Sequence, residues 1–241
     1  MAEDDDLGER MPLVEHLAEL RRRLIISVLA LAGGAVIGFI LYNHILNFLI
    51  TPYREVTHKD QFVFFDPLEA FATRLKVAAW SGVFIASPVV LWQLWRFITP
   101  GLHKNEKRFA IPFIVVSILL FLFGAVVALI TFKPALRFLI GVGGTNLTPL
   151  FSASKYLSLV MLMIVAFGVA FEFPILLVFL ELAGVITSQR LRKWRRPAVV
   201  VIVTLAAVIT PSQDPYSLFM MAVPMYLFYE ASIVIGRLLK K

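Results

Sequence analysis

Met161-Leu-Met-Ile-Val-Ala-Phe-Gly-Val-Ala-Phe-Glu-Phe-Pro-Ile-Leu-Leu-Val-Phe-Leu180 contains one ionisable side chain, Glu172, in twenty residues. A helix of about 20 apolar residues rises about 30 Å, the thickness of bilayer hydrocarbon. The stretch therefore reads as a membrane span, and the fold follows from it. A charged side chain near the bilayer centre costs roughly 2.5–3.5 kcal/mol on insertion scales, so Glu172 is expected to face protein or a wet cavity. It is either a functional group or a neutral, hydrogen-bonded glutamic acid that holds two helices together.

The rest of the chain has the same character. Its 241 residues are 59% hydrophobic, with a mean hydropathy of +0.84, where soluble domains average about 45–50% apolar. Spans are expected near 23–49, 70–97, 109–132, 156–183, 197–210 and 216–236. The fold class is thus an all-α integral membrane protein with six transmembrane helices in a single membrane domain. Residues 1–11 are acidic and poor in apolar side chains, which predicts a disordered tail. The acidic start also lacks the basic region of a cleavable signal peptide. Leu13, Leu17, Leu20 and Leu24 recur at helical spacing among charges, which predicts an amphipathic helix over 12–22 at a membrane surface. Two long connections remain, about 50–69 and 133–155. The second overlaps the amphipathic stretch Phe132-Lys-Pro-Ala-Leu-Arg-Phe-Leu-Ile140.

Lysine and arginine placement sets the orientation. Arg10 and Arg21 to Arg23, then Arg96, Lys104, Lys107 and Arg108, fall on one side of this topology. Arg190, Arg192, Lys193, Arg195 and Arg196, with Arg237, Lys240 and Lys241, join them. Only seven of the 23 cations fall on the other side. Both termini are therefore expected in the cytoplasm, with the two long connections outside, in a cell (cytoplasmic) membrane. The fifth span is short, about 21 Å of helix for residues 197–210, and must thin the bilayer or draw in polar groups. Gly34 and Gly38 form a GxxxG that permits close helix contact.

Several polar residues could carry function. Glu106 is the one carboxylate in the basic loop after the second span. It could accept a partner's guanidinium in a bidentate pair, or balance Lys104 or Arg108 or the dipole of the next helix. Glu19 offers a second carboxylate, or a simple helix-face ion pair. Trp95 and Phe97 fit an interfacial aromatic belt. Asp214, in Thr210-Pro-Ser-Gln-Asp-Pro-Tyr216, fits a helix N-cap or an Asx turn. Glu230 fits snorkelling or pairing with Arg237. His16, His44, His58 and His103 lie at helix ends or in loops, none placed for a proton relay or a metal. The absence of cysteine excludes disulfides and thiolate chemistry. No phosphate loop, HExxH or GxSxG is present, so no enzyme activity, cofactor or nucleic-acid partner is expected.

His16-Leu-Ala-Glu-Leu-Arg-Arg-Arg23, Ser87-Pro-Val-Val-Leu-Trp-Gln-Leu-Trp-Arg-Phe97 and Pro100-Gly-Leu-His-Lys-Asn-Glu106 occur in that order. Phe167-Gly-Val-Ala-Phe-Glu-Phe-Pro174 and Ala222-Val-Pro-Met-Tyr226 follow. Together, from about Pro12 to Arg237, they resemble the TatC family, the multispanning receptor subunit of the twin-arginine protein translocase. The resemblance implies a glove-shaped six-helix bundle with a concave face. It implies binding of twin-arginine signal peptides of folded precursors, with Phe97 and Glu106 in the signal-binding loop and Glu19 and Arg21 as the N-terminal contribution. It assigns Glu172 to a polar group in the concave face and Asp214 to the last outer turn, where Ser212-Gln213 makes the turn longer than the family pattern. The implied partners are TatA- and TatB-type single-span subunits in a hetero-oligomer, with the proton motive force as energy source. The other reading is a secondary transporter using Glu172 for proton coupling, although the two halves show no repeat of the kind such proteins often carry.

Overall fold

The computed structural model describes residues 13–58, 62–63, 65–98, 110–144 and 151–238. The acidic tail over 1–11 and the loop bearing His103 and Glu106 lie outside the described residues. The described residues are helical almost throughout: α1 Leu13–Ile40, α2 Tyr42–Thr57, α3 Glu69–Ile98, α4 Ala110–Val142, α5 Ala153–Ala170, α6 Phe173–Leu182, α7 Ser188–Lys193, α8 Arg195–Ile209 and α9 Pro215–Leu238. Five segments among them are long and apolar enough to cross a membrane: α1, α3, α4, α5 with α6, and α9. The 15 residues of α8 rise only about 22 Å.

Helix ends differ from the sequence-based boundaries where side chains redirect the chain. The amphipathic segment and the first span are one helix, α1, which ends at Ile40 rather than near 49. The polar pair Tyr42-Asn43 ends the lipid-like run, and α2 starts a new direction with Leu49, Ile50 and Tyr53 buried. Residues 50–57 of the expected loop 50–69 are thus helical. The third span continues past 132 to Val142 because Phe132, Ala135 and Leu136 bury the inner face of the amphipathic stretch.

The expected span 156–183 is broken. Pro174 has no N–H to donate to the carbonyl of Ala170, and its ring crowds that position. A turn at Phe171–Glu172 therefore separates α5 from α6, with the Glu172 N–H bonded to the Val169 carbonyl at 3.0 Å. Glu172 sits at this break.

The α1–α3 pair is in backbone contact. A Cβ on Gly34 would lie 2.8 Å from the Gly82 carbonyl oxygen, and one on Gly82 would lie 2.7 Å from the Ala35 nitrogen. A Cβ on Gly38 would meet Ser81 at 2.7 Å. The GxxxG is therefore this interface. The main core lies among α2, α4, α5 and α9 around Tyr53, Phe132, Tyr156, Phe167, Phe171 and Met225. The Tyr156 hydroxyl donates to the Leu49 carbonyl at 2.9 Å and ties α2 to α5. A smaller cluster of Trp95, Phe113, Ile114, Ile175 and Leu182 fills the opposite rim, where α3 ends and α4 begins.

Candidate functional site

Two places gather the polar residues. At the rim where α1 starts and α3 ends, the antiparallel pair brings Glu19 toward α3. The Arg23 guanidinium bridges Glu19, one turn back on α1, and the side-chain oxygen of Gln93 on α3 at 3.3 Å. The second Glu19 oxygen is buried and has no hydrogen-bond partner among the described residues. One turn earlier, the His16 ring stacks on Phe97 with centroids 4.5 Å apart. Glu19 and Phe97, from opposite ends of two different helices, therefore share one seam. Arg21 does not join it. Two residues past Glu19 it lies round the helix from the seam and is exposed.

The second place is inside the bundle. Trp95 of α3 donates its indole N–H to the Ser117 hydroxyl of α4 at 2.8 Å. Ser117 donates in turn to one Glu172 oxygen. The other Glu172 oxygen is buried with no partner among the described residues. The relay spans α3, α4 and the α5–α6 break, and leaves one strong acceptor open. The aromatic-belt reading of Trp95 does not hold: the ring is buried against Phe113 and Phe179. Its neighbour Phe97 stays half-exposed.

The secondary candidates have structural partners. Asp214 caps α9, accepting the Ser217 N–H at 2.8 Å and the Ser212 hydroxyl at 2.5 Å. The long turn before it is closed by Gln213 at φ +48°, a left-handed conformation. Glu230 pairs with Arg195 of α8 at 2.5 Å, not with Arg237, and accepts the Tyr226 hydroxyl at 3.2 Å.

Sequence reasoning misses Ser117 and Glu181. Glu181 is 1% exposed, and both of its oxygens lack partners among the described residues. It presses on Gly236 of α9, where a Cβ would collide with the carboxyl group. The available signal is a second carboxylate at the end of the same apolar run. Among the described residues no group of three or more His, Asp or Glu side chains could hold a metal.

Comparison with known proteins gives a consistent family. The family model "Sec-independent protein translocase protein (TatC)" matches residues 15–224. A relative of that name from Aquifex aeolicus is 42% identical over 231 residues, covering 95% of this chain and 95% of its own length. One from Frankia casuarinae is 42% identical over 239 residues, covering 94% of this chain, which spans 66% of that longer protein. A crystal structure of the twin arginine translocase receptor TatC superposes with a TM-score of 0.77 at 41% identity, covering 94% of this chain and 100% of that one.

Proposed function

Because the chain belongs to the TatC family of Sec-independent protein translocase proteins, we propose that it is the receptor and core subunit of a twin-arginine translocase. It binds twin-arginine signal peptides at the cytoplasmic rim and organises transport of folded proteins, driven by the proton motive force. The observation that carries this reading is the α1–α3 seam, where the unpartnered oxygen of Glu19 lies one turn from the His16–Phe97 stack. A guanidinium carries five N–H donors in a planar fork and stacks on aromatic faces. A carboxylate with a free oxygen beside an aromatic ring suits it. The proposed role of second carboxylate goes to Glu106, from its motif alone since it lies outside the described residues, and Arg21 stands on the exposed flank of the same helix as Glu19.

In this reading both termini are cytoplasmic, α8 is the fifth of six spans and the shortest, and the protein is a multi-pass protein of the cell membrane. Glu172 is the polar group of the concave side, and its buried, unpartnered oxygen is the acceptor that docking of a TatA- or TatB-type helix uncovers and satisfies. The test is photocrosslinking from Phe97 and Glu106 to a twin-arginine precursor, with a twin-lysine precursor as control. Crosslinks that do not distinguish the two precursors, or none at all, would remove the receptor role.

A further inference from the structure

From Leu182 to Gln213 the sequence contains no carboxylate, yet residues 190–196 hold Arg190, Arg192, Lys193, Arg195 and Arg196. The structure fixes this segment firmly. Thr187 caps α7 by accepting the Arg190 N–H at 3.3 Å. Ser188 and Leu191 are buried, and the Tyr229 hydroxyl of α9 donates to the Leu191 carbonyl at 2.7 Å. Arg195 is held by Glu230. Arg190, Arg192, Lys193 and Arg196 are exposed, and among the described residues no ion pair engages them. Between them Trp194 is 54% exposed, and Val185 in the preceding turn is 60% exposed.

The depth of this corner decides what it binds. Arg195 begins α8, which rises about 22 Å against about 30 Å of hydrocarbon. A helix that short holds its first residues at or below the ordinary level of the lipid phosphates. Arginine beside exposed tryptophan at that depth is the composition of a headgroup contact. An acidic protein segment would use the cations but would have no use for the depth or the indole. The geometry points to a site for anionic phospholipid at the α7–α8 corner, with Arg192, Lys193 and Arg196 on the phosphodiester and Trp194 at the glycerol level. Lipid held there draws the leaflet inward beside the short helix.

The test is native mass spectrometry of the full chain released from nanodiscs of equal phosphatidylglycerol and phosphatidylcholine. Wild type retains phosphatidylglycerol in preference to phosphatidylcholine. Arg192→Gln with Lys193→Gln lowers that preference by roughly tenfold. Arg137→Gln with Lys155→Gln, an equal charge change at the other rim, leaves it intact, and Arg192→Lys keeps it. Equal retention of the two lipids by wild type overturns the site and leaves the corner to an acidic protein partner. An equal loss in both double variants overturns it as well, since the effect is then one of net charge.

Discussion

At Glu172 one oxygen is engaged by Ser117 and the other is open, and two substitutions separate the consequences. Glu172→Gln keeps a hydrogen-bonding group at the break and should retain crosslinking to a single-span partner helix. Glu172→Leu removes it, should insert at least as well because the burial cost is gone, and should lose that crosslink. Wild-type crosslinking and transport in the leucine variant would leave the group a purely structural one. On the proposed receptor role, Glu106→Lys should weaken twin-arginine peptide binding by about 1.5–3 kcal/mol, the usual worth of a hydrogen bond to a charged group. Glu106→Asp should be milder, and titration with labelled peptide reads both. A lone carboxylate in an apolar run is legible from composition alone, so Glu172 stands out in the sequence. Its donor lies 55 positions away on another helix, and a pairing of that kind leaves no periodic trace. Glu181 escapes such a reading because a carboxylate at the end of a span normally snorkels. Only the packed structure brings Gly236 against it.

Among the elements, α8, proposed above as the fifth span, is the one whose length conflicts with a bilayer. Four leucines inserted after Val203 would add about 6 Å and bring it close to the hydrocarbon thickness. Transport should fall while insertion is kept, as read by precursor protection in inverted vesicles; full transport would separate mismatch from mechanism. Helix existence is readable from hydrophobic run length for every long element. The breaks are harder. The end of α1 at Ile40 depends on where α2 finds a core to bury Leu49 and Tyr53. The α5–α6 turn depends on one proline inside an otherwise unbroken apolar run. The α1–α3 contact is half legible: the GxxxG announces a close approach, but nothing in its spacing names Gly82 as the facing residue.

For the molecule as a whole, the orientation proposed from its cations predicts that cysteines at His58 and Gly143, both exposed, react with an impermeant reagent from outside the cell. A cysteine at Gln189 should react only after lysis, and the reverse pattern would invert the topology. At the rim opposite the start of α1, Lys133 bonds Glu55 and its charge adds to the effect, holding the Glu55 carboxyl below the usual range. A lowered carboxyl pKa stabilises the fold above the unfolded value, about 4.3 for glutamate. That contribution is lost as pH falls through the folded value. Wild type should therefore lose more Tm between neutral pH and pH about 3 than Glu55→Gln does.

Where α1 meets α3 at Gly34 and Gly82, main chain rests on main chain, and no side chain lies between those two residues to yield. The two helices are then coupled like the halves of a splint. A tilt imposed on α1 from its exposed end finds no rotamers to absorb it at Gly34 and Gly82 and is carried by α3 as a whole. Trp95 rides on the last turn of α3, and its indole ends on the hydroxyl that grips Glu172. Leverage at the end of α1 thus arrives at the α5–α6 break as a change in the grip on a single oxygen.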